Sequence, residues 1–485
     1  MGKYIIDYTL YRWRYLLGYG LIGLILLGVF VVAGLYIPGA LSHSEIQSVV
    51  QSDSLTFSLD NFDPESMINL PYHLLQRVSI EVFGVTNVSI KLPSLLMGLA
   101  AAIGMLVLLR MWFRRNVAVI TTVLVITTGQ FLFVAQSGTQ SIVYIFWSIW
   151  LLVAAMMVSR RAKWLTAWKI MLFTIAALSL YTPLSIYILI ALMSAALLHP
   201  HLRYLMRRLS KPKLLVASFF ALLIVTPLAY VIWIEPSIGL TLLGVPSNWP
   251  DFQANAFQLL RQYLDFFSPS SGTLMTPVYG LGSMILIMLG IFRLVTTKYT
   301  ARSYITVSWI ILLLPVLVIN PDFVSITFVP VVLLMAMGIS TLLSNWYRLF
   351  PLNPYARMAG LIPLSVLIGG MVLSGVDRYM YGYQYDPQIA GNFSQDLRLL
   401  NQELKAKDRG NTALVVSDEE VPFYQAVAHY QKNIIVTPAS SPIAAPLTII
   451  SHAAYTTSIN PPWRIVTDGM SNDADRFYIY KTTAK

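Results

Sequence analysis

The sequence predicts an α-helical polytopic membrane protein, with about eleven membrane-spanning helices and a small C-terminal α/β domain outside the membrane. Three observations predict it. Hydrophobic residues make up 56% of the 485 residues and charged residues only 11%, whereas a soluble domain carries about a quarter charged residues. The apolar residues fall in runs long enough to cross a hydrocarbon core of ~30 Å. The last hundred-odd residues have the composition of ordinary soluble protein.

The first run, roughly 16–37, follows Lys3, Arg12 and Arg14. It is too long for a cleaved signal peptide and lacks a small-residue cleavage site, so it reads as a retained first helix. Further runs lie near 92–113, 117–135, 142–158, 168–183, 184–198, 214–234, 277–296, 304–319, 323–344 and 359–376. Tyr181-Thr182-Pro183 reads as a tight turn between two of them. The division is a membrane portion, 1–377, with long outer loops at 38–91 and 235–276, and an outer domain, 378–485.

The net charge of +11 is explained by orientation in the membrane rather than by nucleic acid. With the spans alternating, the inner segments hold Lys3, Arg12, Arg14, Arg110, Arg114, Arg115, Arg207, Arg293, Arg302 and Arg348 among others, and Asp7 is their only acid. The outer loops hold Glu45, Asp53, Asp60, Asp63, Glu65 and Glu81 among others, against Arg77, Lys91 and Arg261 as bases. Lys and Arg accumulate on the cytoplasmic side of membrane proteins, so the N-terminus is expected inside and the C-terminal domain outside the cell membrane.

Both long loops contain amphipathic stretches. Pro71 to Phe83 sets Leu74, Leu75, Val78 and Val82 on one helical face, and Phe252 to Phe267 behaves alike. The tail reads as a helix from Asp396 to Lys407, with strands at Thr412–Ser417, Asn433–Thr437, Thr448–Ser451, Arg464–Thr467 and Phe477–Tyr480. It contains no glycine-rich phosphate loop. The absence of cysteine excludes disulfides, thiolate metal sites and cysteine nucleophiles. The predicted spans carry almost no ionisable residues away from their ends, which disfavours an ion-coupled transporter. Polar residues gather instead in the first outer loop, and a site is expected at that face.

Leu70-Pro71-Tyr72-His73-Leu74-Leu75, Val82-Phe83-Gly84-Val85 and Lys91-Leu92-Pro93-Ser94-Leu95-Leu96-Met97-Gly98 occur in that order. Arg114-Arg115 and Leu180-Tyr181-Thr182-Pro183 follow. Together they resemble the membrane glycosyltransferases of the GT-C class, in the branch of protein O-mannosyltransferases and lipid A aminoarabinose transferases. The resemblance implies transfer of a sugar from a polyprenyl-phosphate donor to a lipid, glycan or protein acceptor, with inversion, at the outer face of the membrane. Such transfer needs a carboxylate to take the acceptor proton and cations to hold the leaving phosphate. Some members add a divalent metal.

The family has an Asp-Glu pair after its first helix. Ser42-His43-Ser44-Glu45 stands there, with Glu45 matching the Glu and Ser44 in place of the Asp. A second family acid, between the third and fourth helices, is replaced by Ser137-Gly138-Thr139-Gln140-Ser141. The candidate catalytic residues are therefore Glu45 and His43, and the candidate donor-phosphate ligands are Lys91 and Arg261. A metal site is left unassigned. The departures leave a second reading, a non-catalytic relative that binds lipid-linked glycan or organises envelope assembly. Orientation is testable by protease digestion of sealed inside-out vesicles. The segment after Arg378 should be protected, and its digestion in intact vesicles would refute the assignment.

Overall fold

The computed structural model describes residues 40–55, 63–160, 162–207, 211–266, 278–297, 300–349, 354–385, 389, 391–405, 412–431, 434–440, 445–455, 461–469 and 475–481, with isolated positions between 20 and 28. The first predicted span, 16–37, lies outside the described residues.

Strand β1 (Leu41–Ser42) leads into α1 (His43–Asp53). Ser42 accepts the Glu45 N–H and Glu45 accepts the Ser42 N–H, which starts the helix by a reciprocal cap. Helix α2 (Leu70–Phe83) has Pro71 in its first turn and ends at Gly84, where φ is +70° and a side chain would be strained. Helix α3 (Asn87–Trp112) opens on a second reciprocal cap, Thr86 with Ser89. Pro93 has no N–H to give to the Ser89 carbonyl four residues earlier. The Ser79 hydroxyl of α2 donates to that carbonyl instead, at 2.6 Å.

The bundle continues through α4 (Arg115–Ile126), α5 (Gly129–Gln136), α6 (Ser141–Ser159), α7 (Leu165–Ser179), α8 (Ile186–Leu198), α9 (Pro200–Arg207) and α10 (Lys211–Ile234). Next come α11 (Pro236–Leu243), α12 (Phe252–Leu264), α13 (Leu281–Thr296), α14 (Ala301–Ile319), α15 (Phe328–Leu349) and α16 (Pro354–Tyr385). Among the described residues, five helical stretches are long and apolar enough to cross a membrane, or up to seven if two bent pairs count as spans. The expected run 117–135 is one of those pairs. It bends by 62° between α4 and α5, because the Thr127 and Thr128 hydroxyls bond the last carbonyls of α4 and Thr128 caps α5. Between α8 and α9 the bend is 93°. Helix α16 contains the last expected run and passes position 378, where the sequence suggests a boundary.

Burial orders the bundle. The stretch Val324–Leu349, which includes α15, is 83% buried, whereas the stretch in α10 is 17% buried. Helix α10 leaves Phe219, Leu222 and Trp233 exposed, as a helix on a lipid-facing rim would. The closest packing is between α13 and α15. A Cβ on Gly290 would overlap the Leu334 carbonyl, and one on Gly338 would overlap that of Leu286.

The C-terminal segment contains β2 (Phe393–Ser394), α17 (Asp396–Lys405), β3 (Thr412–Val416), α18 (Val421–Tyr430), β4 (Ile434–Pro438), β5 (Leu447–Ser451), β6 (Arg464–Thr467) and β7 (Asp475–Lys481). The five strands that the sequence suggests here form one sheet in the order β4-β3-β5-β7-β6. β3 runs parallel to β4 and β5, and β7 runs antiparallel to β5 and β6. Helix α18 is not anticipated in the sequence reading. This unit does not hang free. β2 pairs antiparallel with β1, and Leu414, Phe423, Val427 and Phe477 share a core with Leu41, Val49, Ile80 and Ile90 of the first long loop and α3.

The α13–α15 contact makes a prediction. Gly338→Ala should destabilise the protein by roughly 1–3 kcal/mol, because backbone blocks the new methyl. Gly370→Ala, in open space on α16, should be neutral or stabilising by up to about 1 kcal/mol. Thermal unfolding in detergent distinguishes the two; equal melting temperatures would refute the close approach.

Candidate functional site

The reciprocal cap of α1 turns Glu45 inward, where its side chain is 1% exposed. Its Oε2 accepts the Ser42 N–H at 2.7 Å, and its Oε1 accepts the Gly138 N–H at 2.5 Å. Lys91, in the second turn of α3, places Nζ 3.6 Å from Oε1 and donates to the Ala40 carbonyl at 2.9 Å. The segment that holds Gly138 is Ser137 to Gln140, between α5 and α6, where the family's second acid would be. Here it meets the lone carboxylate with a backbone N–H. Only glycine fits at 138, since a Cβ would lie 2.7 Å from Ile90 Cγ2 and 3.3 Å from Glu45 Oε1.

Around this pair lies a buried polar network on the inner face of α2. Gln76 is fully buried, and all four of its hydrogen-bonding positions are used. Its Nε2 donates to the Ile90 carbonyl at 3.1 Å and the Gly138 carbonyl at 3.0 Å. Its Oε1 accepts from the Ser48 hydroxyl at 2.8 Å and the Ser52 hydroxyl at 2.7 Å. Gln76 thus ties α1, α2, α3 and the 137–140 segment together. The Ser52 hydroxyl also lies 2.9 Å from His73 Nδ1. Tyr72 OH lies 2.8 Å from Ser94 Oγ, which donates to the Thr139 carbonyl at 3.3 Å. Tyr379 of α16 donates to Gln136, the last residue of α5.

Burial pushes the His73 imidazole down to about 4, partly opposed by a hydrogen bond to the Ser48 carbonyl. Burial also pushes the Tyr72 phenol far above its ordinary value, against the lowering bond to Ser94, and Glu45 adds a smaller upward push. Both groups are therefore neutral near pH 7.

Of the residues proposed from sequence, the structure brings Glu45 and Lys91 together. His43 is exposed, and its Nε2 lies 3.0 Å from Gln47 Nε2. Arg261 is exposed on α12 with its guanidinium 4.7 Å from the centre of the Phe257 ring, and among the described residues no salt bridge joins it to Glu45. Gln76, Ser48 and Ser52 are not singled out by the sequence reading, and His73 and Gly138 are given no role of their own there. Their signal is present as a polar stripe, Tyr72, His73, Gln76 and Ser79, at helical spacing opposite the apolar face of α2. The apolar face is the exposed one, with Leu75, Val78, Val82 and Phe83 at 50% or more, so α2 is polar inside and apolar outside.

No group of three or more His, Cys, Asp or Glu able to hold a metal occurs among the described residues. Among the described residues, Glu45 is the only carboxylate of the network, and its oxygens already accept two N–H groups and face Lys91. The donors present do not fit a divalent metal. Beside the network, an apolar cavity of about 690 Å³ lies between α2, α3, α6 and α7, with Leu75, Met97, Trp147, Trp150 and Met171 in its walls.

The His73 shift sets a pH dependence. The folded-state value lies below the ordinary 6.5, so the unfolded chain binds the proton more tightly. The stability from neutral His73 is complete above about pH 6.5 and lost as pH falls towards 4, by up to roughly 3 kcal/mol. His73→Asn should flatten this dependence relative to wild type in melting temperatures measured from pH 4 to 7. Parallel curves would show that His73 is not held neutral by burial.

A scan for protein families and a search among curated proteins each find no match. Among solved structures, the chain is similar to ArnT from Cupriavidus metallidurans bound to undecaprenyl phosphate, with a TM-score of 0.52 and 15% identity over 95% of this chain and 97% of that one. The apo form of ArnT gives 0.50 and 14%, over 96% and 98%. ArnT is a lipid A aminoarabinose transferase of the GT-C class. The resemblance seen in the sequence is matched at the level of the fold: the chain is built like ArnT along nearly its whole length.

Proposed function

We propose that the protein transfers a sugar from a polyprenyl-phosphate donor to a lipid, glycan or protein acceptor at the outer face of the cell membrane, with inversion at the sugar. The observation that carries this reading is the buried ion pair of Glu45 with Lys91. It stands in the region that the GT-C resemblance gives to catalysis. It also stands beside a place for lipid. Met97, in the wall of the apolar cavity, is six residues along α3 from Lys91, about 9 Å at the helical rise. That cavity has the chemistry to take part of an isoprenoid chain.

In the proposed reaction an acceptor hydroxyl attacks the anomeric carbon. The new C–O bond forms as the bond to the phosphate oxygen breaks. Glu45 takes the hydroxyl proton, and polyprenyl phosphate leaves with its charge against Lys91. Both side chains must first turn from each other and from Ala40, Ser42 and Gly138 towards the substrates.

A specific observation favours the second reading, a non-catalytic protein that binds lipid-linked glycan. Both Glu45 oxygens are engaged and the side chain is closed off from solvent. A carboxylate used only to fix the loop would look the same.

Transfer assays with purified protein and a panel of polyprenyl-phosphate sugars separate the two. Wild type should transfer sugar. Glu45→Gln should still bind donor but lose rate by roughly a hundred- to ten-thousand-fold. Lys91→Ala should weaken donor binding more than Lys91→Arg. Equal turnover by wild type and Glu45→Gln would remove Glu45 from the chemistry. Donor binding without turnover by wild type would establish the binding-only reading.

A further inference from the structure

The far end of α3 has polar features that the Glu45 site does not use. From Lys91 to Trp112 is twenty-one residues, about 32 Å at the helical rise, or roughly the thickness of a hydrocarbon core. A second cavity opens there, of about 320 Å³, and Arg114, Arg293 and Arg302 line it. Among the described residues, no carboxylate lines it. No salt bridge joins any of the three arginines to an acid among the described residues.

Arg302 is held in place. Its Nη1 donates to the Trp112 carbonyl at 2.6 Å, and its guanidinium stacks over Phe113 with 4.7 Å to the ring centre. This leaves further N–H groups of the same fork for a ligand. Two helices also begin at this cavity. The first turn of α4 contributes Asn116 and Val117, and its N-cap, Arg114, offers no side-chain acceptor to the free N–H groups. The first turn of α14 contributes Ser303, whose own N–H already donates to the Thr300 hydroxyl at 3.2 Å. Helix N-termini favour anions, through free N–H groups and the helix dipole. A hydroxyl oxygen in the wall, Thr297 Oγ1, is buried with no hydrogen-bond partner among the described residues. Three cations, two helix N-termini and an unsatisfied hydroxyl converge on one space.

We propose that this cavity binds the phosphate of an anionic membrane phospholipid. Phosphate is the shared chemistry of a lipid headgroup and a free phosphate ion, and the surroundings select the lipid. Beside Arg293 on α13, Phe292 is 63% and Val295 74% exposed, and Leu342 and Leu349 of α15 are exposed too. These side chains give acyl chains an apolar surface next to the headgroup. The site lies a membrane's thickness from Glu45 and does not depend on the transfer reaction.

The test is native mass spectrometry and thermal unfolding of the full chain in uncharged detergent. The probes are dioleoylphosphatidylglycerol, dioleoylphosphatidylcholine and inorganic phosphate, and the variants are Arg114→Gln/Arg293→Gln and the single Arg293→Gln. Both residues are exposed, and the Arg302 contact with Trp112 is left intact. Phosphatidylglycerol should bind more tightly than phosphatidylcholine and raise the melting temperature. At about a fivefold factor per basic residue, the double variant should lose roughly twenty-five-fold in phosphatidylglycerol affinity and the single variant about fivefold. Phosphatidylcholine binding should not change. Equal phosphatidylglycerol binding by wild type and both variants would overturn the proposal and leave the arginines as orienting charges only. Stabilisation by inorganic phosphate with no preference for phosphatidylglycerol would overturn the lipid assignment.

Discussion

The buried pair of Glu45 and Lys91 is the constraint around which one end of the bundle is built. Two charges removed from water are costly, and their attraction offsets the cost only if hydrogen bonds meet the remaining needs. Here the N–H groups of Ser42 and Gly138 serve the carboxylate, and the Ala40 carbonyl serves the ammonium. Each of these partners is backbone, and each belongs to a different stretch from the side chain it serves or to the turn just before it. The pair therefore fixes the path of residues 40–45, the second turn of α3 and the segment between α5 and α6. Gln76 repeats the arrangement in neutral form, with four hydrogen bonds from α2 to two other helices and that same segment. A half-satisfied network of this kind would be worse than an apolar core. Its completeness is what makes a polar interior tolerable here.

The C-terminal unit contributes to the same constraint from the other side. β2 holds β1 by main-chain pairing, Leu41 with Ser394 and Ser42 with Phe393. Ala40, whose carbonyl accepts from Lys91, precedes β1 directly. Val49 of α1 and Ile80 of α2 are buried in the core of that unit. The loop that carries Glu45 is thus packed between the bundle and the sheet, and a substrate-driven opening would have to move it against both. The reaction proposed above requires such a movement, since Glu45 is closed off in this structure.

The solvent explains why polar and apolar faces are exchanged along α2. In water an amphipathic helix buries its apolar stripe. In a protein that reads as spanning a membrane, lipid is an adequate partner for Leu75, Val78 and Val82, and the polar groups must find each other inside. The same logic accounts for Ser79, whose hydroxyl meets the carbonyl that Pro93 leaves without its helical donor.

The sequence by itself determined what depends on composition and local pattern. The apolar runs, the amphipathic stretches from Pro71 and Phe252, the five C-terminal strands and the resemblance to GT-C enzymes could all be read from residue order, because period, turn chemistry and hydropathy are local properties. Glu45 and Lys91 could be nominated the same way, since an acid after the first apolar run and a base at a helix start are visible in one dimension. The tertiary structure decided what those residues touch. Gly138 and Glu45 are 93 positions apart, and Gln76 and Gly138 are 62 apart; no local pattern links them. The bend at Thr127–Thr128 was equally hidden, since hydropathy is continuous through 117–135 while the hydroxyls that break the helix act through hydrogen bonds. The convergence of Arg114, Arg293 and Arg302 has the same origin. In sequence they are charges between runs, and only the packing of α3, α4, α13, α14 and α15 sets them around one space.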